Sequence, residues 1–388
     1  MPWPFTRKTV TVLTDDASET SPSASRRFAF KLFRELSRGD SANVFFSPAS
    51  VMLNLAMVHE LASGETRRAM AEALEVLDLS PGKVEDEVAL LKSSLRARPL
   101  AEVTFANAIW LGIHARIAPA LAERLSCLYE SELGALDANS VTTINNWVHE
   151  KTKGKIPKIV DQISPLSALV ALNAVYFKGA WLVPFRRELT QERPFTTSGG
   201  ETKHVPSMPQ SSTYVYYEDS QLQMAALPYK GGLSMYVVLP AEGTDSQKFT
   251  SAMCSGLWDS WCARAGRMEG TILLPRFKLE TDAQLNSALT ALGMSRAFDQ
   301  DQAEFGNIET DQPPVWIDRV VHRALVDVNE EGTVAAAATM SAMFCGSAMA
   351  PKPKPHFRMI VNRPFLVAIC DDSTKAILFL GWVGDPQA

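Results

Sequence analysis

Two hydrophobic rhythms divide the chain. Phe28, Leu32, Phe33 and Leu36 recur three and four residues apart, which predicts a helix opened by Ser25 and closed by Gly39. Residues 43–46 read as a short strand entering a helix that carries Leu53, Met57 and Leu61, with Pro48 suited to its first turn. Helices are expected from Gly64 through Met70 to Leu77, over 84–95, over 118–129 and around 144–148, the last stopped by Lys151-Thr152-Lys153-Gly154. A strand is expected over 103–111, and residues 168–177 are almost wholly apolar, the mark of a strand buried on both faces. From 214 to 277 the rhythm turns to short strands, at 214–217, 223–227, 233–239 and 271–277. A helix over 282–292 interrupts before strands at 320–328, 359–361, 365–370 and 376–383. Residues 1–24, rich in Ser, Thr and Asp, read as a flexible lead. With no internal repeat and no separating linker, 25–388 is expected to form a single interwoven α+β domain.

One stretch fits neither rhythm. Residues 327–350 hold four consecutive alanines, two threonines and two serines without a proline, and Pro351, Pro353 and Pro355 then close the segment. Extended, it would place Thr333, Ala335, Ala337, Thr339 and Ser341 on one face and Val334, Ala336, Ala338 and Met340 on the other. Nothing before Met340 is bulky enough to stop such a strand sliding between two others. Glu330-Glu331-Gly332 would be its hinge. The same alanines are also good helix material, so a short helix packed on the body is a second reading, and a disordered linker a third.

Composition narrows the function. Of 388 residues, 46% are hydrophobic and 21% charged, enough for a large core, and the net charge of −5 gives no reason to expect nucleic acid. The five cysteines (Cys127, Cys254, Cys262, Cys345, Cys370) are odd in number and form no Cys-x-x-Cys pair, against a disulfide framework or a zinc site. No apolar run approaches the ~18 residues of a spanning helix, so no membrane partner is expected. No secretory signal is visible, which reads as cytoplasmic. Cys345-Gly346-Ser347 partly echoes a papain-type nucleophile, but the flanking residues are missing and only 43 residues follow, too few for a downstream His and Asn. No Gly-x-Ser-x-Gly elbow and no metal-spaced histidines occur, so neither enzyme activity nor a cofactor is expected.

Taken in order, Asn43-Val-Phe-Phe-Ser-Pro-Ala-Ser50, Gly64-Glu-Thr66, Ala106-Asn-Ala-Ile-Trp110, Ile144-Asn-Asn-Trp-Val148 and Leu172-Asn-Ala-Val-Tyr-Phe-Lys-Gly-Ala-Trp181 form one series. It continues through Leu227-Pro-Tyr229, Leu274-Pro-Arg-Phe277, Leu292-Gly-Met294, Asn329-Glu-Glu-Gly-Thr333, Asn362-Arg-Pro-Phe365 and Phe379-Leu-Gly381. This series resembles the serpin family, from about Phe28 to Pro386. The resemblance implies an α+β serpin fold with three β-sheets, eight to nine helices and an exposed reactive centre loop, here about 330–355. It also implies a suicide-substrate inhibitor of serine proteases, which traps the acyl-enzyme when the cleaved loop inserts into a five-stranded sheet. Such a protein is expected to be a monomer prone to loop-sheet polymers, and the family also allows an extracellular location.

Site residues carry over one by one. Counting from Gly332 puts the reactive bond at Gly346-Ser347, and the hinge at Glu330, Glu331, Gly332, Thr333, Val334, Ala335, Ala336, Ala337 and Ala338. A polar cluster beneath the sheet, the shutter, maps onto Ser47, Ser50, Asn173 and His322; Trp181 maps to the breach where the loop enters. An ordinary core role is the competing reading for His322 and for Trp181. Val334 departs from the family by replacing a usual acidic residue. Glycine at the bond suits a shallow primary pocket, so elastase-like or subtilisin-like targets are expected over trypsin-like ones. A non-inhibitory serpin, serving as a carrier, chaperone or storage protein, is the alternative, disfavoured by the intact small hinge residues.

Overall fold

The computed structural model describes residues 23–386, apart from 40–42, 97, 99–100, 165, 312–313 and 334–355. The chain opens with α1 (Ala24–Leu36), β1 (Asn43–Phe46), α2 (Pro48–Leu61), α3 (Gly64–Ala73) and α4 (Pro81–Leu95). There follow β2 (Ala101–Leu111), β3 (Ala115–Arg116), α5 (Pro119–Tyr129), β4 (Glu132–Ala135), α6 (Ser140–Lys151) and β5 (Leu169–Ala180). The middle holds β6 (Gln191–Thr196), β7 (Thr202–Glu218), β8 (Leu222–Pro228), β9 (Leu233–Pro240), α7 (Ser246–Ala252) and α8 (Ser255–Arg264). Then come β10 (Gly266–Pro275), β11 (Phe277–Gln284), α9 (Asn286–Leu289), β12 (Glu309–Thr310), β13 (Ile317–Asn329) and β14 (Gly332–Thr333). Three strands end the chain: β15 (His356–Ile360), β16 (Phe365–Asp371) and β17 (Ile377–Val383).

These described residues form three sheets. The central one runs β11-β13-β14-β5-β2-β4: five strands and the two-residue stub β14. A nine-stranded sheet runs β1-β17-β16-β9-β8-β7-β10-β15, with β6 on β7, and β12 and β3 make a small ribbon. Between the two large sheets lies α2, touching β5 on one side and β17 on the other. Pro48 starts it, the Ser47 side chain caps it by accepting from the Ser50 N–H, and nearly all of it is buried. A helix apolar all round is what a position inside the core requires.

The almost wholly apolar run of β5 has its cause in two cores. Leu169, Ala171, Val175 and Phe177 face the main core, while Val170, Leu172 and Ala174 face a smaller one built with Ile144 and Val148 of α6. Both faces are covered, so its side chains are apolar except where Asn173 finds hydrogen-bond partners.

Three expectations differ from what is observed. The helix expected over 282–292 starts later: through Gln284 the chain is still β11, where buried Phe277 and Leu279 alternate with exposed Lys278 and Glu280, and it turns helical only at Asn286, as α9 followed by one π-helical and one 3-10 turn to Phe298. The strand expected at 214–217 is the end of β7, whose earlier part, with Pro206, Pro209 and a run of Ser and Thr, lacks a hydrophobic rhythm. α7 and α8 sit where only strands were expected, because their apolar positions are sparse. No helix among the described residues is long and apolar enough to cross a membrane.

Candidate functional site

The seam between β13 and β5 is the feature from which the site is built. The two strands run parallel and pair directly from Ile317 opposite Leu169 to Leu325 opposite Tyr176. Beyond Leu325 they part, and β14 fills the gap. Thr333 lies opposite Val328 and Gly179, Gly332 opposite Asn329 and Ala180, so β14 is antiparallel to both neighbours. The reversal is made by Glu330 and Glu331. The expected hinge is therefore inside the sheet as far as Thr333, and Glu330 and Thr333 are buried instead of exposed.

Glycine at 332 is forced by this geometry. Its φ is 141°, and a Cβ would lie 2.0 Å from the Gly179 carbonyl oxygen and 2.7 Å from the Ala180 Cα. Those atoms are backbone, so any side chain would have to push β5 away. Gly179 is constrained in turn, since a Cβ there would fall 2.5 Å from the Phe177 ring.

The reversal is held from several sides. The Glu330 Oε1 accepts from the Thr190 hydroxyl at 2.7 Å and from the Arg276 guanidinium at 2.5 Å, while Oε2 is buried with no partner among the described residues. Burial pushes the carboxyl pKa up, but the bonds from Thr190 and Arg276 outweigh it and the net shift is downward. The N–H groups of Phe185 and Trp181 donate to the carbonyls of Glu330 and Glu331 at 2.8 and 3.1 Å. The Trp181 indole N–H donates to the Asn329 carbonyl at 2.9 Å. Trp181 also stacks on Tyr229, centroids 4.1 Å apart, and the Tyr229 hydroxyl pairs with the Thr333 hydroxyl at 3.0 Å. Burial raises the Tyr229 pKa, so its phenol stays protonated.

Lower on the same seam sits the polar cluster. His322 of β13 stands opposite Asn173 of β5, so these two side chains bond across the strands. The His322 Nε2 accepts from the Ser47 N–H at 3.1 Å, which leaves the ring proton on Nδ1 to be donated to the Asn173 Oδ1. Asn173 donates onward to the Ser50 hydroxyl at 2.5 Å and to the Asn107 Oδ1 of β2. Burial lowers the His322 pKa to about 3. An imidazolium would set an N–H against the Ser47 N–H, so the neutral ring is the only form the cluster satisfies.

A strap crosses the outer face. The segment after α6 is tied to β13 by Arg323, which donates to the Lys158 carbonyl, by Arg319, which donates to the Gln162 carbonyl at 3.1 Å, and by the Ser167 hydroxyl on Asp318 at 2.8 Å.

The structure thus brings Ser47, Ser50, Asn173 and His322 into one network, and Glu330, Glu331, Gly332, Thr333 and Trp181 into another. Val334 to Ala338 and the bond at Gly346-Ser347 lie outside the described residues. Sequence reasoning missed Asn107, Tyr229, Arg276 and Thr190. The first three stand inside motifs quoted above, each a polar residue in an otherwise apolar run, and that was the available signal. Nothing in the local sequence singles out Thr190.

The buried histidine makes stability depend on pH. Between 6.5 and about 3 the unfolded chain binds a proton at residue 322 that the folded chain does not, so stability is full above 6.5 and is lost as pH falls. At about 1.4 kcal/mol per unit, His322→Asn should shrink the loss between pH 7.5 and 5 by about 2 kcal/mol in urea melts. The remaining slope includes His59, which burial, then Arg67, holds near 4. A second expectation concerns β14. Gly332→Ala should expel it, so that the Thr333 amide, protected in the wild type, exchanges hydrogen freely; continued protection would mean that β5 yields.

The family model described as "Serpin (serine protease inhibitor)" matches residues 23–386. Serpin B6 of Macaca fascicularis is 34% identical over 378 residues, covering 94% of this chain and 98% of that protein. The crystal structure of tengpin, a thermophilic serpin in the native state, superposes with a TM-score of 0.85 at 28% identity, covering 96% of this chain and 97% of that one. Human thyroxine-binding globulin complexed with its hormone superposes with a TM-score of 0.82 at 25% identity, covering 94% and 98%. With the family's fold and a match across nearly its whole length, the chain belongs to the serpin family.

Proposed function

We propose that this serpin is a suicide-substrate inhibitor of serine proteases, which holds the acyl-enzyme by drawing its cleaved loop into the central sheet. Members of the family are generally inhibitors and not enzymes, though it also includes the thyroxine-binding globulin above. The observation that carries the reading is β14: the hinge already occupies the top of the seam, pointing down a path bounded by β13 and β5. The residues that would follow, Val334 and Ala335 to Ala338, are small. A carrier role requires no such path.

In this mechanism the protease supplies the chemistry and the inhibitor a conformational free energy. Cleavage at Gly346-Ser347 frees the segment behind Thr333 to continue the strand. The His322–Asn173 pair lets go as the seam opens, and discrete satisfied arrangements allow such a cluster to re-form. Some fourteen inserted residues span ~50 Å at ~3.3 Å each. At about 0.5–1.5 kcal/mol per ladder bond, they yield roughly 7–21 kcal/mol before entropy, comparable with the ordinary stability of a whole domain, about 5–15 kcal/mol. That is sufficient to distort a bound enzyme. Glycine at the bond, with Phe344 and Cys345 before it, supports an elastase-like or subtilisin-like target.

Thr333→Arg separates recognition from trapping. Thr333 is already buried beside Tyr229, so arginine there would drive β14 out of the seam, and insertion would then have to bury an unpaired charge, at a cost of several kcal/mol. Each ~1.4 kcal/mol on the insertion barrier slows it tenfold. The variant should be cut at the same bond and at a similar initial rate, while the covalent band on a denaturing gel disappears and active protease is recovered. A complex formed in wild-type yield would overturn the insertion mechanism, and clean cleavage of the wild type by every serine protease tried would favour the carrier.

A further inference from the structure

Far from the seam, α2, α3, α4 and α5 line an open cavity of about 550 Å³. Its wall is apolar: Val76, Leu77, Leu79, Val84, Val88 and Leu128. Its rim is charged, with Arg67, Arg68 and Arg124 outnumbering Glu60 and Glu85. Glu60 is shared by Arg124 at 3.2 Å and Arg67 at 3.9 Å, whereas exposed Arg68 has no ion-pair partner among the described residues.

The lining also holds two polar groups that bond to no described residue. Tyr129 is 2% exposed and His59 half-buried; the Tyr129 hydroxyl and the His59 ring both open on the cavity, where an incoming group can pair with them. The charges acting on the Tyr129 hydroxyl are Glu60, Arg124, Arg67 and Glu85, so rim and phenol share one space. Burial keeps the phenol protonated and the imidazole neutral, which makes both available as uncharged hydrogen-bonding groups. An inner extension of about 10 Å³, where the Glu87 Oε2 is buried without a partner among the described residues, holds one water at most.

Volume and lining together select a ligand. Small-molecule sites run from roughly 300 to 1,000 Å³, mostly apolar, with a few polar groups that fix orientation, and guanidinium groups favour carboxylates. We infer that this cavity binds a small amphipathic carboxylate, its acid on the arginine rim, its apolar body against Val84, Val88 and Leu128, and a hydroxyl at its inner end paired with Tyr129. Serving no part of the loop mechanism, the site would give the protein a ligand in addition to its protease.

Calorimetry with decanoate and 10-hydroxydecanoate tests this on the full chain. Both acids should bind one to one, the hydroxylated one several-fold more tightly. Tyr129→Phe should abolish that preference while leaving decanoate binding unchanged. Arg68→Glu, at an exposed position that does not threaten folding, should weaken both acids about tenfold, and adding Arg124→Glu should weaken them further. Absence of saturable binding in the wild type would overturn the inference. So would wild-type affinity in the charge-reversed variants, or equal affinity for the two acids in the wild type.

Discussion

The rest of the structure depends on the ladder that joins β13 to β5. β13 and β5 are held together by direct parallel pairing along the seam, yet at its upper end the same strands already accept an antiparallel neighbour between them. Antiparallel pairing is slightly more stable per residue than parallel pairing, and an inserted strand replaces one row of bonds with two. On the proposed mechanism the closed seam would be a local arrangement, held by what lies across it: the His322–Asn173 pair and the strap after α6. Covering both faces of β5 with apolar layers keeps water from competing for the ladder, so that such a sheet can be metastable without being loose.

Where the hinge meets the sheet, tight contacts and polar anchors divide the labour. Gly332 and Gly179 let two backbones approach more closely than any side chain would permit. The Glu330 carboxylate, held by Thr190 and Arg276, fixes where the reversal sits. Trp181 ties the two together, bonding the chain just before the reversal and stacking on the tyrosine that meets Thr333.

Much of this was legible in the sequence. The apolar run of β5 announced a strand buried on both faces. The cluster of Ser47, Ser50, Asn173 and His322 came from family resemblance, since residues so far apart in the chain carry no local sign of contact. Asn107 was hidden for the same reason: its partner is a neighbouring strand, and register is a tertiary fact. That the hinge would lie inside the sheet to Thr333 was likewise unreadable, because it depends on how far two strands diverge above Leu325. The helix expected to begin at 282 shows the opposite failure: its start was set four residues early, a period of two at the end of β11 being masked by the good helix formers after it.

The strap has a kinetic consequence. Its ties to β13 are spaced along the strand, Arg323 nearer the hinge and Arg319 and Asp318 farther down. A strand advancing from the top would meet them in sequence, and each would break while new ladder bonds formed just behind. The height to be climbed at any moment is then that of one tie, about 1.5–3 kcal/mol for a hydrogen bond to a charged group, and not their sum. Were the ties side by side, they would have to give way together, and tenfold in rate would go with every 1.4 kcal/mol added. If the loop inserts as proposed, their staggering would keep the sheet shut at rest, yet work as a staircase once something begins to descend it.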